Sequence, residues 1–290
     1  MTEKQTIMPR IVLPAVTHRI LKHFGLKASH RLGQNFLIAP AIVEGIVLAA
    51  EIQPGDRVLE IGPGIGTLTQ ALAEAGAQVT AVELDKKLPA VLAETLKGYD
   101  NVTIIPGDIL KVDIKALMGE EPFKVVANLP YYITTPILLE LLEKKLNISL
   151  IVTMVQREVA QRMVAEPGGK DYGALSVAVQ YHTEPDIVLT VPPKSFHPAP
   201  EVDSVVIRCR RRQTPAVECK DEKLFFRVAR ASFGQRRKTL VNALKGAGFL
   251  KEDIERAVKY AGIDTGRRGE TLSLEEFAGL ADGFFKGEQQ

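Results

Sequence analysis

From Asp56 onward, short apolar runs alternate with longer stretches that carry Leu and Ala at helical spacing. The runs Arg57–Ile61, Gln78–Val82, Val102–Pro106, Phe123–Asn128 and Ile148–Met154 predict strands, and Thr67–Ala75, Lys86–Leu96 and Pro136–Lys145 predict the helices between them. A strand-then-helix order of this kind builds a mostly parallel sheet with helices on both faces and right-handed crossovers. Two later runs, Ile187–Val191 and Ser204–Arg210, are separated by a loop over 192–200 that is too rich in proline for a helix. They are expected to close the sheet edge as a hairpin with at least one antiparallel strand, giving seven strands in all.

Past Arg211 the pattern changes. A basic, proline-containing stretch over Arg211–Val217 leads into helical runs at Glu222–Phe233, Gln235–Lys245, Lys251–Ala261 and Ser273–Phe284, broken by glycines. Ser273 with Glu276 three residues on spells a capping box. The expected organisation is an α/β domain over residues 1–212 followed by a small all-α domain over 213–290.

At 290 residues, 46% hydrophobic and 25% charged, the chain is expected to be globular. No apolar stretch approaches the roughly 18 to 20 residues of a membrane span, and the first twenty residues lack the layout of a secretory signal, so a cytoplasmic enzyme is the simplest expectation. Two cysteines, Cys209 and Cys219, are too few for a thiolate zinc site, and no metal is expected. The net charge of +2 conceals a block: Arg208 to Lys245 holds twelve basic residues against three acids, a local +9. Such a block suits a phosphate backbone, although a solvated helix face is the ordinary reading of one charge run.

The candidate chemistry sits at strand ends. Gly62-Pro63-Gly64-Ile65-Gly66-Thr67 joins the first strand to the first helix, where glycines admit a ligand close to the backbone. Thr67 stands where a dinucleotide fingerprint needs its third glycine, and no Walker lysine follows, so the turn indicates only a nucleotide or nucleoside. Glu83 ends the second strand, placed to accept from ribose hydroxyls, and Asp108 follows the third, placed to accept an adenine amino group. The fourth strand ends in Asn128-Leu129-Pro130-Tyr131. An exocyclic ring amine is a poor nucleophile because its lone pair is delocalised, and a catalyst must hold its N–H bonds so that the pair localises. The Asn128 amide oxygen and the Leu129 carbonyl can do this, with Pro130 stiffening the turn and Tyr131 offering a ring to stack on. Each acid alone could be a helix cap; the ordered series of strand ends is the stronger signal.

With these residues in view, the chain resembles the ribosomal RNA adenine N6-dimethyltransferases, most closely the bacterial branch acting on small-subunit 16S RNA. The resemblance runs through Leu32–Leu37, Leu59–Thr69, Val82–Asp85, Gly107–Ile109, Asn128–Thr134, Gln156–Met163, Tyr172–Val177, Phe196–Arg208 and Phe233–Leu244. It departs at His30-Arg31, where many relatives have Lys-Ser or Lys-Arg. The resemblance implies a Rossmann-like S-adenosylmethionine-dependent methyltransferase domain, cofactor contacts from Asn35 and Leu37 besides Gly62, Gly64, Glu83, Asp108 and Asn128, and a monomer acting on immature small subunits. Its target would be two adjacent adenosines in the 3′-terminal hairpin loop, each dimethylated at N6. We expect Tyr131 and Phe196 to sandwich the flipped adenine, and Arg236, Arg237 and Lys238 to grip RNA phosphates. The related macrolide-resistance enzymes that methylate 23S RNA, and a ribosome-assembly checkpoint role in which binding outweighs catalysis, are the alternatives. A nicotinamide oxidoreductase is disfavoured by the glycine spacing.

Overall fold

The computed structural model describes residues 9–29, 32–235 and 237–285. His30, Arg31 and Arg236, all singled out above, lie outside the described residues. The chain divides into two compact units: the described residues up to Ala160 together with Asp186–Arg210, and Gln161–Pro185 together with the described residues from Arg211 on.

The first unit opens with helix α1 (Pro14–His23), strand β1 (Phe36–Leu37) and helix α2 (Pro40–Ala49). Both helices begin at proline, whose fixed φ and missing N–H suit a first turn. There follow β2 (Arg57–Ile61), α3 (Thr67–Glu74), β3 (Gln78–Glu83), α4 (Leu88–Thr95), β4 (Val102–Pro106), α5 (Ile114–Met118), β5 (Phe123–Asn128), α6 (Thr134–Glu143) and β6 (Ile148–Gln156). Helix α7 (Arg157–Met163) and helix α8 (Ala174–His182) lead to β7 (Thr183–Val191), β8 (Phe196–His197) and β9 (Ser204–Arg211).

Seven strands form one sheet in the order β4-β3-β2-β5-β6-β9-β7. β2 runs parallel to β3 and β5, β3 to β4, and β5 to β6, whereas β9 lies antiparallel to β6. The strands of the doubly wound part are apolar on both faces, as a covered parallel sheet requires: Val125, Val126 and Ala127 of β5 are all fully buried. Strand order reverses between β2 and β5. That reversal opens a crevice beyond their carboxyl ends, the usual ligand position in such sheets.

The seven predicted strands are all present, within a few residues of their expected ends. A two-residue strand inside the proline-rich 192–200 loop is additional: β8 pairs antiparallel with β1, Leu37 opposite Phe196 and Phe36 opposite His197. Pairing over so short a length leaves no periodic trace in sequence. Strand β1 and helices α1, α2, α5, α7 and α8 are likewise additional to the predicted elements.

The second unit is built on α8 and on α9 (Glu222–Phe233), α10 (Leu240–Gly246), α11 (Lys251–Ala261) and α12 (Leu274–Phe284). Aromatic rings fill it: Tyr181 lies 4.8 Å from Phe225 and 5.0 Å from Phe226 between centroids, and Tyr172 lies 5.7 Å from Phe233. These ring contacts group residues 161–185 with the later helices, whereas the expected boundary put them with the α/β domain. The α11–α12 crossing is tight because Gly283 has no side chain; a Cβ there would stand 2.6 Å from Ala257 Cα. Asp221 caps α9 by accepting from Leu224 N, and Ser273 and Glu276 form the expected capping box on α12.

Candidate active site

The site is a cavity in the first unit at the carboxyl ends of β2, β3, β4 and β5. Its wall includes Asn35, Leu37, Gly62, Gly64, Glu83, Asp108, Asn128, Leu129, Pro130 and Tyr131, so strand ends far apart in sequence converge as expected. Registry explains the convergence. Ile61 pairs with Val82 on one side and Ala127 on the other, and Glu83 pairs with Pro106, so the residues that follow each strand emerge at one level.

Gly62, Gly64 and Gly66 take φ of 70°, 61° and 94°, a left-handed conformation that a side chain resists. The turn they make is fastened to β3: Gly64 N–H donates to Glu83 Oε2 at 3.2 Å, while Glu83 Oε1 accepts from Asp85 N–H at 2.7 Å. Burial pushes the Glu83 carboxyl above its ordinary range despite these two donors. Asp108 Oδ1 accepts from Leu110 N–H at 3.1 Å, a local turn that fixes its carboxylate at the cavity wall.

A third carboxylate belongs to the same wall and was not among the predicted site residues. Glu60, the penultimate residue of β2, is buried, and its Oε2 finds no hydrogen-bond partner among the described residues. Burial, reinforced by the nearby Glu83 charge, pushes its pKa up to about 8. The signal was present in the sequence, an acid inside an otherwise apolar strand directly ahead of the glycine turn.

Among the described residues, these three acids share the cavity wall with no Lys, Arg or His side chain. A phosphate-bearing ligand would meet no cationic side chain among them, whereas one that brings hydroxyl and amino donors and a positive charge finds an acid at successive strand ends. The orphaned Glu60 oxygen and the open space over Gly62, where a Cβ would meet nothing within 4 Å, fit S-adenosylmethionine, which has an ammonium, a sulfonium and no phosphate.

At the mouth of the cavity, Asn128 Nδ2 donates to the Asn35 carbonyl at 3.3 Å, and Asn35 Nδ2 in turn donates to the Gly33 carbonyl at 3.2 Å. With its amide nitrogen engaged, Asn128 keeps its oxygen as an available acceptor. Leu129 N–H donates to Met154 O at 3.2 Å, anchoring the turn to β6, and Thr134 Oγ1 closes it by donating to Pro130 O at 2.9 Å. Tyr131 is half-buried, its phenol oxygen 2.7 Å from Ser204 Oγ, with Ser204 fully buried at the start of β9.

Phe196 departs from expectation. Its ring is 3% exposed, packed into the core cluster with Leu37 and Val43, and it does not line the cavity. The β1–β8 pairing places it opposite Leu37, and its burial in the core leaves it off the cavity wall that the expected sandwich with Tyr131 needs.

The +9 block is only partly available to a partner. In the first unit Arg208 pairs with Asp186 at 3.0 Å and Arg210 with Glu51 at 2.6 Å. In the second, Arg212 pairs with Glu184 at 2.9 Å and Arg227 lies over the Phe249 ring at 4.7 Å. Arg237 and Lys238 are exposed.

Residues 25–284 match the ribosomal RNA adenine dimethylase family. Over 283 residues the chain is 53% identical to the ribosomal RNA small subunit methyltransferase A of Moorella thermoacetica, covering 94% of this chain and 98% of that protein. It is 50% identical to the protein of the same name from Geobacillus thermodenitrificans, covering 94% and 96%. Among solved structures, the 23S rRNA methyltransferase ErmE superposes with a TM-score of 0.64 at 30% identity, covering 86% of this chain and 99% of that one. A dimethyladenosine transferase from Plasmodium falciparum superposes with a TM-score of 0.71 at 26% identity, covering 84% and 95%.

Proposed function

Because the chain belongs to the ribosomal RNA adenine dimethylase family and is an S-adenosylmethionine-dependent rRNA adenine dimethyltransferase, we propose that its substrate is small-subunit 16S rRNA. It would dimethylate N6 of two adjacent adenosines in the 3′-terminal hairpin loop, working as a monomer in the cytoplasm on immature small subunits. The relatives at 53% and 50% identity carry a small-subunit name, while the 23S enzyme stands at 30%; this favours the small-subunit substrate over the resistance-type alternative.

The observation that carries the reading is the pairing of a cavity lined by three acids with a held Asn128 on its wall. S-adenosylmethionine supplies an electrophilic methyl group on a sulfonium. Glu83 would accept from its ribose, Asp108 from its adenine amino group, and Glu60 would face its positive charge. Gly62, Gly64, Asn35 and Leu37 would give close apolar and backbone contact. A target adenine taken out of its stack would lie against Tyr131, with its amino protons directed at Asn128 Oδ1 and the Leu129 carbonyl. These two acceptors localise the nitrogen lone pair. No side chain need remove a proton beforehand, since the nitrogen becomes strongly acidic once methylated and can lose its proton to water. Catalysis then rests on orientation and fixed dipoles. The helical unit, with Arg236, Arg237 and Lys238, would hold RNA phosphates.

Asn128→Ala tests this assignment. It should lower turnover by about 100-fold or more, the scale of losing one oriented polar partner, while S-adenosylmethionine affinity measured by calorimetry changes only a few-fold. Equal losses in both would reassign Asn128 to cofactor binding.

A further inference from the structure

From Lys4 to Val43 the chain contains no acidic residue, while carrying Arg19, Lys22 and Lys27 and several histidines. In the first unit a second cavity opens beside α1, lined by His18, Leu21, Lys22, Leu26, Lys27 and His197 and, among the described residues, by no acid. His18 and Lys22 stand one turn apart, on one face of α1. His197 forms the opposite wall, its ring edge-on to that of His18 at 4.4 Å between centroids. Lys22 and Lys27 are exposed.

This cleft is the electrostatic opposite of the active site. Among the described residues, one cavity presents three acids and no cation, the other two ammonium groups and two imidazoles with no carboxylate. The two cavities also lie close together in the fold: β8 carries His197, which lines the basic cleft, and its register partner on β1 is Phe36, which lines the active cavity. A nucleic-acid strand has the matching division, an uncharged base that can enter the first cavity and a charged backbone that cannot. Ammonium groups on flexible stems suit phosphate as point charges.

We propose that the α1–β8 cleft is a phosphate subsite that holds the backbone of the RNA strand carrying the target adenosine, with Lys22 and Lys27 as the main ligands. The proposal rests on the reading of the protein as an rRNA adenine dimethyltransferase and adds to it a contact in the methyltransferase unit itself, separate from the Arg236–Lys238 cluster.

The test compares two variants of the full chain that lose the same charge. Lys22→Gln/Lys27→Gln removes it from the cleft, and Lys144→Gln/Lys145→Gln removes it from the end of α6. RNA affinity is measured against salt concentration, together with RNA KM, kcat and S-adenosylmethionine affinity. The cleft variant should show a salt slope shallower by about 1.4 to 1.8, the value for two lost phosphate contacts, and an RNA KM raised several-fold at unchanged kcat and cofactor affinity. Lys22→Arg/Lys27→Arg should restore both. A cleft variant with the wild-type slope, or an α6 variant that lowers it equally, overturns the subsite. If the wild-type protein itself fails to methylate small-subunit RNA, it is the underlying substrate reading that falls.

Discussion

Asn128 is held by the Asn35 carbonyl and Tyr131 by Ser204, and this is where single substitutions are most informative. The Tyr131 phenol is tied to Ser204 Oγ at 2.7 Å, which fixes the ring plane against which an adenine would lie. Ser204→Ala and Tyr131→Phe remove the same hydrogen bond, so each should lower turnover several-fold, about 1 kcal/mol, and the double variant should be no worse than either single one. An additive double variant in a steady-state assay would separate the two residues. Tyr131→Ala should cost more, about 1 to 3 kcal/mol of stacking, and binding of an RNA with an already unstacked adenine should reveal it; unchanged binding would remove the stacking role. Glu60 has a different signature. An ordinary glutamate ionises near 4.5, but burial keeps Glu60 protonated to about pH 8. Between these values the folded protein holds a proton that the unfolded chain has released. Glu60's own contribution to the stability of the ligand-free protein therefore falls as pH rises from about 4.5 to about 8 and levels off above, while buried His182, its pKa held down to about 4, acts in the opposite direction below about 6.5. Glu60→Gln should flatten that part of a melting-temperature profile, and an unchanged profile would mean the carboxyl is already charged in the fold.

Strand ends were the most legible elements because their signals are local: an apolar run, then glycine, acid or amide. The β2 turn shows why. Gly66 adopts φ of 94° at the start of α3, and a Cβ there would come within 3.1 Å of Leu96. Gly66→Ala should therefore destabilise the protein by about 1 to 3 kcal/mol, read as a lower denaturant midpoint; an unshifted midpoint would show that the turn can relax. The Ser273 capping box is equally local, and Ser273→Ala should cost about 1 kcal/mol, visible as a lower melting temperature. Non-local features left no such trace. The two-residue β1–β8 pairing that buries Phe196, the grouping of Tyr172 and Tyr181 with Phe233 and Phe225, and the pairing of Arg208 and Arg210 with acids more than twenty residues away all depend on which segments the fold brings together. Phe196 is expected as the second ring of the adenine sandwich, and its burial is a tertiary outcome that spacing does not encode.

At the scale of the whole molecule, the proposed function divides the tasks by charge: the acid-lined cavity would take a cationic cofactor, and basic surface would take RNA. Neutralising Arg236, Arg237 and Lys238 together should flatten the salt dependence of RNA binding by up to about 2 to 3 in slope and leave cofactor affinity unchanged. A slope equal to that of the wild type would return the cluster to a solvated face. The family assignment accounts for the reaction, and the identity of the RNA is what the proposed function adds. The most direct measurement is transfer of labelled methyl groups from S-adenosylmethionine to undermethylated small subunits and, in parallel, to large-subunit RNA, with mass analysis of the modified nucleosides. We expect N6,N6-dimethyladenosine confined to two adjacent positions of the small-subunit RNA. Label appearing only in large-subunit RNA would contradict the account.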